Sequence, residues 1–166
     1  VWALDVASAD RDPRMPPANE QLPILLRAPQ PGDIGWVIHR HGALYAAEYG
    51  WDASFEALVG TVAIGFAQSH DPACERCWIA TRGDEILGSA FVMRKDAEVA
   101  KLRLVYVEPH ARGHGLGRTL VEAAMAFARD AGYKRMTLWT NDVLLPARRL
   151  YERLGFTMTA QEPHLS

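Results

Sequence analysis

A glycine-rich turn between a strand-like run and a helical pattern constrains this chain more than any other feature. The turn occupies residues 112–118 and reads Arg-Gly-His-Gly-Leu-Gly-Arg. The apolar run 102–107 before it is typical of a strand, and residues 119–131 after it follow helical spacing. A strand that turns through glycines into a helix presents outward-facing N–H groups at the positive end of the helix dipole. The segment therefore predicts a phosphate-binding turn.

Three known phosphate-binding patterns can be compared with this turn. A P-loop requires a lysine directly after its glycines, and none is present. A dinucleotide fingerprint requires Gly-x-Gly-x-x-Gly and an acid about 20 residues further on, where this chain has Lys134 and Arg135. The third pattern, Arg-x-x-Gly-x-Gly, fits with Arg112, Gly115 and Gly117. Taken alone, this short pattern is weak evidence for phosphate binding, because glycines before a helix can simply permit a tight turn.

The third pattern resembles the cofactor loop of the GNAT N-acetyltransferase superfamily, which binds the pyrophosphate of acetyl-coenzyme A. Residues 147–156, Ala-Arg-Arg-Leu-Tyr-Glu-Arg-Leu-Gly-Phe, resemble the second signature of that family, a short helix with a tyrosine that ends in Gly-Phe. Gly155 is suited to close this helix in a left-handed conformation. The resemblance covers about residues 25–156 and implies acetyl-CoA as the cofactor.

The succession of patterns predicts the order β-α-α-β-β-β-α-β-α-β within a domain spanning residues 23–166. Residues 1–22, rich in Pro, Asp and Ala, are predicted to be a linker or disordered lead-in. The strand before the glycine turn and the strand after the following helix are predicted to be parallel, because a helical crossover joins them. The earlier strands are predicted to pair antiparallel. The expected fold class is α/β (α+β): a GNAT-like mixed, mostly antiparallel sheet with helices on both faces, splayed at a central parallel strand pair.

The C-terminal end differs from the pattern that the resemblance implies. The family usually ends with two strands, but only ten residues follow Phe156, and Pro163 interrupts them. A closing strand is predicted at residues 156–159. A final strand would then be missing or supplied by another subunit, which makes a homodimer one of the expected arrangements.

Composition narrows the classes of partner. The chain has 18 basic and 20 acidic residues, which argues against direct nucleic-acid binding. No apolar run approaches the length of a membrane span, so we expect a cytoplasmic protein without a membrane contact. Cys74 and Cys77 form the only cysteine pair, with His70 nearby. Structural zinc takes four ligands, so we predict reduced cysteines and no metal.

The resemblance implies a set of site residues. Tyr151 corresponds to the family's general acid beside the coenzyme A sulfur, although a packed aromatic ring is the alternative interpretation. The end of the fourth strand would offer backbone groups to the pantetheine arm and acetyl carbonyl, and the turn would hold the pyrophosphate. Leu144 stands where the family often has an asparagine, and Asn141 lies three positions earlier. The candidate cofactor contacts are Val105, Tyr106, Val107, Arg112, Gly113, His114, Gly115, Leu116, Gly117, Arg118, Asn141 and Tyr151.

The acceptor site is expected on the first predicted helix and its surroundings. A neutral histidine or a glutamate there could relay a proton through water, although each residue alone is more often a surface or packing residue. Lys101 and Arg103 hint at a carboxylate-bearing acceptor, which solvent exposure explains equally well. Glu108 is interpreted as a solvated turn residue. The candidate substrate contacts are His41, Tyr45, Glu48, Trp78 and Arg103.

Two functions follow from these patterns. The first is an acyltransferase of the EC 2.3.1 type that moves an acetyl group from acetyl-CoA to a primary amine, of a small molecule or a peptide, by direct attack in a ternary complex. The alternative is a non-catalytic acyl-CoA-binding sensor that regulates a fused or partner DNA-binding domain. Residues 31–51 and 139–141 also resemble GNAT domains that follow a MarR-type winged-helix regulator, in which case residues 1–22 would be the interdomain linker.

Overall fold

A computed structural model describes residues 22–140 and 144–157. Five strands and four α-helices follow one another, and one turn of 3-10 helix, Pro109–Ala111, precedes the third α-helix. In chain order they are β1 (Leu25–Arg27), α1 (Asp33–Tyr49), α2 (Ala53–Ser69), β2 (Arg76–Arg82), β3 (Glu85–Arg94), β4 (Val99–Val107), α3 (Leu116–Asp130), β5 (Arg135–Leu138) and α4 (Leu145–Arg153). The predicted order is confirmed through α4.

The strands form one sheet in the order β1-β2-β3-β4-β5. Every neighbouring pair is antiparallel except β4 and β5, which are parallel as predicted. Successive side chains of a strand point to opposite faces. On β2, Cys77 and Ile79 join an apolar cluster with Val37 of α1 and Phe66 of α2. Trp78 and Ala80 join the cluster beneath α3. The helices therefore cover both faces of a mixed sheet.

Local sequence explains where the helices begin. The Asp52 side chain accepts a hydrogen bond from the Ser54 amide (2.9 Å) and caps α2. Gly32 precedes α1 with a φ of 97°, a left-handed conformation that glycine adopts without strain. The apolar stripe of α3 packs onto the sheet; its buried members are Leu116, Leu120, Val121, Ala124 and Ala128.

The parallel pair separates soon after it forms. It runs from Val99 opposite Arg135 to Leu102 opposite Leu138, whereas β4 continues to Val107. The splay is therefore present, but β5 is an edge strand of the described sheet rather than a central one. Of the predicted closing strand, residues 156–157 are irregular and the remainder lies outside the described residues.

Two of the predictions concern a bound metal ion and a membrane-spanning helix. Among the residues that the structure describes, no three His, Cys, Asp or Glu side chains are grouped to hold a metal ion. No described helix combines the length and apolar character that crossing a membrane demands. Apart from Leu22, the predicted lead-in lies outside the described residues.

Candidate active site

The glycine turn joins β4 to α3 with an open backbone. Gly113 and Gly115 have φ values of 82° and 78°, which are strained for any residue with a Cβ. A Cβ at either position would meet no atom within 4 Å, so backbone conformation and not crowding favours glycine there. Gly117 differs, because its Cβ would lie 3.4 Å from the Leu150 side chain of α4. The third glycine therefore lets the start of α3 pack closely against α4.

The first amides of α3 are available to a ligand. Gly115 caps the helix without a side-chain hydrogen bond, and the earliest helical bond runs from the Thr119 amide to the Gly115 carbonyl (3.0 Å). The amides of Leu116, Gly117 and Arg118 precede that bond and have no carbonyl partner within the helix. Free amides at the positive end of a helix dipole suit a phosphate group.

A β-bulge interrupts β4 shortly before this turn. Ser89 pairs with Tyr106 and Phe91 pairs with Arg103, so two residues of β4 lie opposite one residue of β3. One of the two is Leu104, which has a φ of 51°. The Ser89 hydroxyl donates a 2.9 Å hydrogen bond to the Leu104 carbonyl and holds this conformation. Bulges of this kind redirect a strand and are frequent beside active sites.

The strands β3 and β4 approach closely just after the bulge. A Cβ on Gly88 would lie 2.4 Å from the carbonyl oxygen of Tyr106, so only glycine allows this pairing. The other edge of β4 has no strand partner beyond Leu102 among the described residues. The bulge, this unpaired edge and the turn amides therefore lie consecutively along residues 103–118, where they can bind one extended ligand.

The end of α1 meets the turn through an ion pair. Nη1 of Arg112 lies 3.1 Å from Oε1 of Glu48. Tyr45, one helical turn earlier, is near enough to Arg112 and Glu48 for their charges to influence its pKa, which burial raises to about 12. The ring of Tyr45 also belongs to an aromatic group with those of Tyr49, Trp51 and Phe55, at centroid separations of 4.8–5.8 Å.

Tyr151 of α4 directly follows Leu150, whose side chain lies against Gly117 at the start of α3. It packs against the apolar cluster beneath α3, and its ring centroid is 5.9 Å from that of Phe156. Burial, with a smaller contribution from Tyr45, raises the pKa of Tyr151 above its ordinary value. The phenol is therefore protonated at neutral pH and can donate a hydrogen bond or a proton.

A buried polar group supports the end of β4. His41 and Tyr106 are each 2% exposed, with ring centroids 5.0 Å apart. Nδ1–H of His41 donates to the Val37 carbonyl (2.8 Å), and burial lowers the His41 pKa to about 4. Arg40, on the same helix, donates two hydrogen bonds to the Glu108 carboxylate just after β4: Nε lies 2.6 Å from Oε1 and Nη2 lies 3.0 Å from Oε2.

The Arg40 contact overturns the interpretation of Glu108 as a solvated turn residue. Glu108 is only 7% exposed, and its carboxylate is paired with the guanidinium of Arg40, which lies 68 residues earlier in the chain. Glu98, at the other end of β4, is exposed and pairs with Lys134 at 3.2 Å. Both acids that flank β4 are therefore engaged with cations.

Comparison with known proteins identifies the family. The model of the Acetyltransferase (GNAT) family matches residues 27–156. The chain belongs to this family. Human N-acetyltransferase 8B is 28% identical over 123 residues, which are 70% of this chain and 54% of that protein. Mycothiol acetyltransferase from Thermomonospora curvata is 34% identical over 90 residues, 54% of this chain and 30% of that protein. The chain thus spans about half or less of these relatives.

Solved structures share the GNAT fold. A predicted acetyltransferase with acetyl-CoA from Clostridium acetobutylicum has a TM-score of 0.67 and 16% identity, covering 86% of this chain and 96% of that one. An acetyltransferase from Streptococcus agalactiae has a TM-score of 0.66 and 19% identity, covering 84% and 92%. At these identities the likeness establishes the fold alone.

Seen as a GNAT domain, the structure brings most of the candidate residues together. Most cofactor candidates lie along residues 105–118. Glu48 of α1 reaches this segment at Arg112, and Tyr45 of the same helix is near enough to both Arg112 and Tyr151 to influence their electrostatics. His41 is buried against Tyr45 and Tyr106, so its side chain supports these two rings and is not itself exposed to a ligand. Asn141 lies outside the described residues.

Trp78 lies apart from the other candidate substrate residues, on the opposite face of the sheet. Its ring packs edge-to-face on Phe127 of α3, with centroids 5.6 Å apart, on the sheet face opposite α1. Strand alternation decides this, because Cys77 and Ile79 already occupy the face beneath α1 and α2. Sequence reasoning also missed Ser89 and Arg40. The sequence did contain a signal for the role of Ser89. The preceding residue, Gly88, is a glycine inside a strand, and such a glycine often marks a bulge or a close backbone approach.

Proposed function

We propose that this GNAT domain transfers an acetyl group from acetyl-CoA to a primary amine by direct attack in a ternary complex. One observation carries the proposal: the bulged, unpaired edge of β4 leads into the free amides of α3, and the helix that carries the protonated Tyr151 packs against the start of α3. This arrangement offers a diphosphate site, an extended backbone edge and a proton donor along one path.

The turn suits the diphosphate of coenzyme A. The amides of Leu116, Gly117 and Arg118 point from a helix N-terminus, and the absence of Cβ atoms at Gly113 and Gly115 leaves space for phosphate oxygens. Arg118 is bound by Glu122 (2.7 Å) and Arg112 by Glu48, both at exposed positions where a phosphate can compete. Backbone donors therefore provide the specific contacts, and the two arginines add charge.

Acetyl-CoA supplies the thioester that an amine attacks. Holding the thioester along residues 103–107 would align it with the acceptor, and alignment alone lowers a barrier by several kcal/mol. A backbone N–H at the bulge can stabilise negative charge as it develops on the acetyl oxygen. The fixed conformation of Leu104 keeps such a donor in place before the substrate arrives.

Tyr151 is the group that we propose to protonate the departing sulfur. Its raised pKa keeps the proton on the phenol at neutral pH, and its position on α4 next to the start of α3 suits the sulfur end of a bound coenzyme A. The acceptor must arrive as a neutral amine, because an ammonium has no lone pair. Tyr45 and the buried His41 that it contacts are both neutral at pH 7, so neither side chain stabilises an ammonium by its charge.

Release of free thiol from acetyl-CoA in the presence of a panel of primary amines tests the proposal. A matched reaction without acceptor corrects for Cys74 and Cys77 of the protein, and mass spectrometry of the amine confirms an added acetyl group. We expect amine-dependent thiol release. Tight binding of acetyl-CoA that stays intact with every amine would contradict the transferase and indicate a non-catalytic acyl-CoA sensor.

A further inference from the structure

Two basic side chains of β4 lie on the sheet face that α1 and α2 cover. Lys101 pairs directly with Met93, and Arg103 pairs with Phe91. Met93 and Phe91 both belong to the apolar cluster beneath α1 and α2. Directly paired residues of antiparallel strands project to the same face. Lys101 and Arg103 therefore face the α1–α2 side, opposite α3 and its amides.

Arg103 differs from four arginines of the domain that are paired with acids. Arg27, Arg40, Arg112 and Arg118 each lie within 3.1 Å of a carboxylate oxygen. Arg103 is half-buried, and among the described residues no carboxylate reaches it. Burial lowers the pKa of Arg103, and no neighbouring acid opposes that effect. An unpaired, partly desolvated guanidinium is unfavourable unless an anion arrives to bind it.

Lys101 reinforces this excess of positive charge. Burial lowers the pKa of Lys101, and the charges of Arg103 and Lys95 lower it further. Burial and the two neighbouring cations all act in the same direction. Lys101 and Arg103 therefore form a local excess of positive charge on this face, and no acid of the described residues is paired with either of them.

The position of Arg103 relates this charge to the proposed chemistry. It directly precedes Leu104 and the bulge, where the thioester would lie if the proposed function is right. The diphosphate amides lie beyond Val107, at the other end of this segment. An acceptor that enters from the α1–α2 side would thus meet Arg103 beside the reacting carbon.

Resting on the proposed function, we infer that the acceptor amine carries a carboxylate, which Arg103 binds with support from Lys101. The planar guanidinium can hold both carboxylate oxygens, whereas an ammonium acts as a point charge. Arg103 is thus a specificity-determining residue. The substrate class is that of amino acids, peptide ends or related amino carboxylates.

Matched acceptors test this inference. Amino acids and their amides, which differ only in the carboxylate, are compared as acceptors for wild type, Arg103→Gln, Arg103→Lys and Arg94→Gln. Arg94 is the control because it lies on β3 opposite Ala100, on the α3 face. We expect the wild type to prefer the acids. Arg103→Gln should raise KM for an acid by about 10- to 100-fold and leave the amide unchanged. Arg103→Lys should have an intermediate effect, and Arg94→Gln none.

A binding measurement separates this inference from the proposed function. Calorimetry on protein saturated with coenzyme A compares an N-acetylamino acid with its N-acetyl amide. Preferential binding of the acid that Arg103→Gln abolishes supports the inference even where no acceptor is turned over, an outcome that refutes only the transferase. Equal binding or equal turnover of acid and amide overturns the inference. Weaker coenzyme A binding by Arg103→Gln also overturns it, because Arg103 would then serve the cofactor.

Discussion

The hydroxyl of Ser89 on β3 donates a 2.9 Å hydrogen bond to the carbonyl oxygen of Leu104 on β4. Leu104 is the one non-glycine residue with a positive φ in the part of the chain that the structure describes. A left-handed conformation costs a leucine about 1–2 kcal/mol. Ser89 has no exposed surface, so water cannot replace its hydroxyl at this carbonyl. The bulge at the proposed thioester position therefore depends on a side chain of the neighbouring strand.

Replacing Ser89 by alanine tests this dependence. We expect Ser89→Ala to lower the free energy of unfolding by about 1–2 kcal/mol, because a buried carbonyl loses its partner. The kcat for acetyl transfer should fall more than the affinity for coenzyme A, since the turn amides are untouched. Urea unfolding, steady-state kinetics and calorimetry measure the three quantities. Ser69→Ala is the control: it removes an exposed hydroxyl that also bonds a carbonyl, that of Gly65 (3.1 Å). Equal responses of the two variants would contradict the role of Ser89.

The turn glycines provide a second prediction. Gly115→Ala adds a Cβ that meets no atom within 4 Å but forces a φ of 78° on alanine. We expect a loss of about 1–2 kcal/mol in unfolding free energy and weaker coenzyme A binding, because the first amides of α3 shift to relieve the strain. Gly65→Ala in α2 is the matched control. It has ordinary helical φ and equal space, so it should stabilise the protein by about 0.5–1 kcal/mol and leave binding unchanged.

Tyr151→Phe isolates the proposed proton donor. We expect kcat to fall about 100-fold, with coenzyme A affinity and unfolding free energy little changed, because only the hydroxyl is lost. The wild type should lose activity only above pH 10, because burial raises the pKa of Tyr151 above its usual 10.0. The Tyr151→Phe variant should lack this alkaline loss. Tyr133→Phe is the control, because its hydroxyl bonds the Cys74 carbonyl (2.9 Å) away from the turn. It should lower stability and preserve kcat. Full activity of Tyr151→Phe would exclude Tyr151 as the acid.

The partly buried Arg40–Glu108 pair should contribute more to the free energy of unfolding than an exposed ion pair does. Glu108→Gln leaves a partly buried guanidinium without its charged partner, so we expect a loss of about 1–3 kcal/mol in unfolding free energy. Glu98→Gln removes an exposed pair with Lys134 and should change it by less than about 1 kcal/mol. Urea unfolding at low and high salt distinguishes them. A loss in Glu108→Gln that salt abolishes would argue against burial as its cause.

His41 predicts a pH dependence of stability. Its pKa is about 4 in the folded protein against 6.5 in the unfolded chain, because burial disfavours the charged ring. Between these values only the unfolded state binds the proton, so stability falls as pH decreases from 6.5 toward 4, by about 2–3 kcal/mol for this group. His41→Gln should flatten that part of the profile. His39→Gln, at an exposed position of the same helix, should leave it unchanged. Identical slopes in all three proteins would refute the assignment to His41.

Local patterns were sufficient for much of the fold. The glycine turn, the helical stripe after it and the tyrosine helix before Gly155 each depend on residues close together in the chain. Helix α3 begins at Leu116 rather than at the predicted Thr119, because the left-handed Gly115 already starts the helix. The parallel pairing of β4 and β5 followed from the helical crossover between them.

Long-range contacts decided what these patterns could not. The sequence predicts a solvated turn residue at Glu108, but Arg40 of α1 lies against it in the structure. The sequence also groups Trp78 with the residues of α1, whereas strand alternation places its ring on the α3 face. The sequence by itself determined the strand-turn-helix with its free amides, because hydrogen bonding within a turn and a helix involves near neighbours. Only the tertiary structure decided the bulge at Leu104 and the unpaired charge of Arg103, because both depend on what neighbouring strands and helices place, or do not place, beside them.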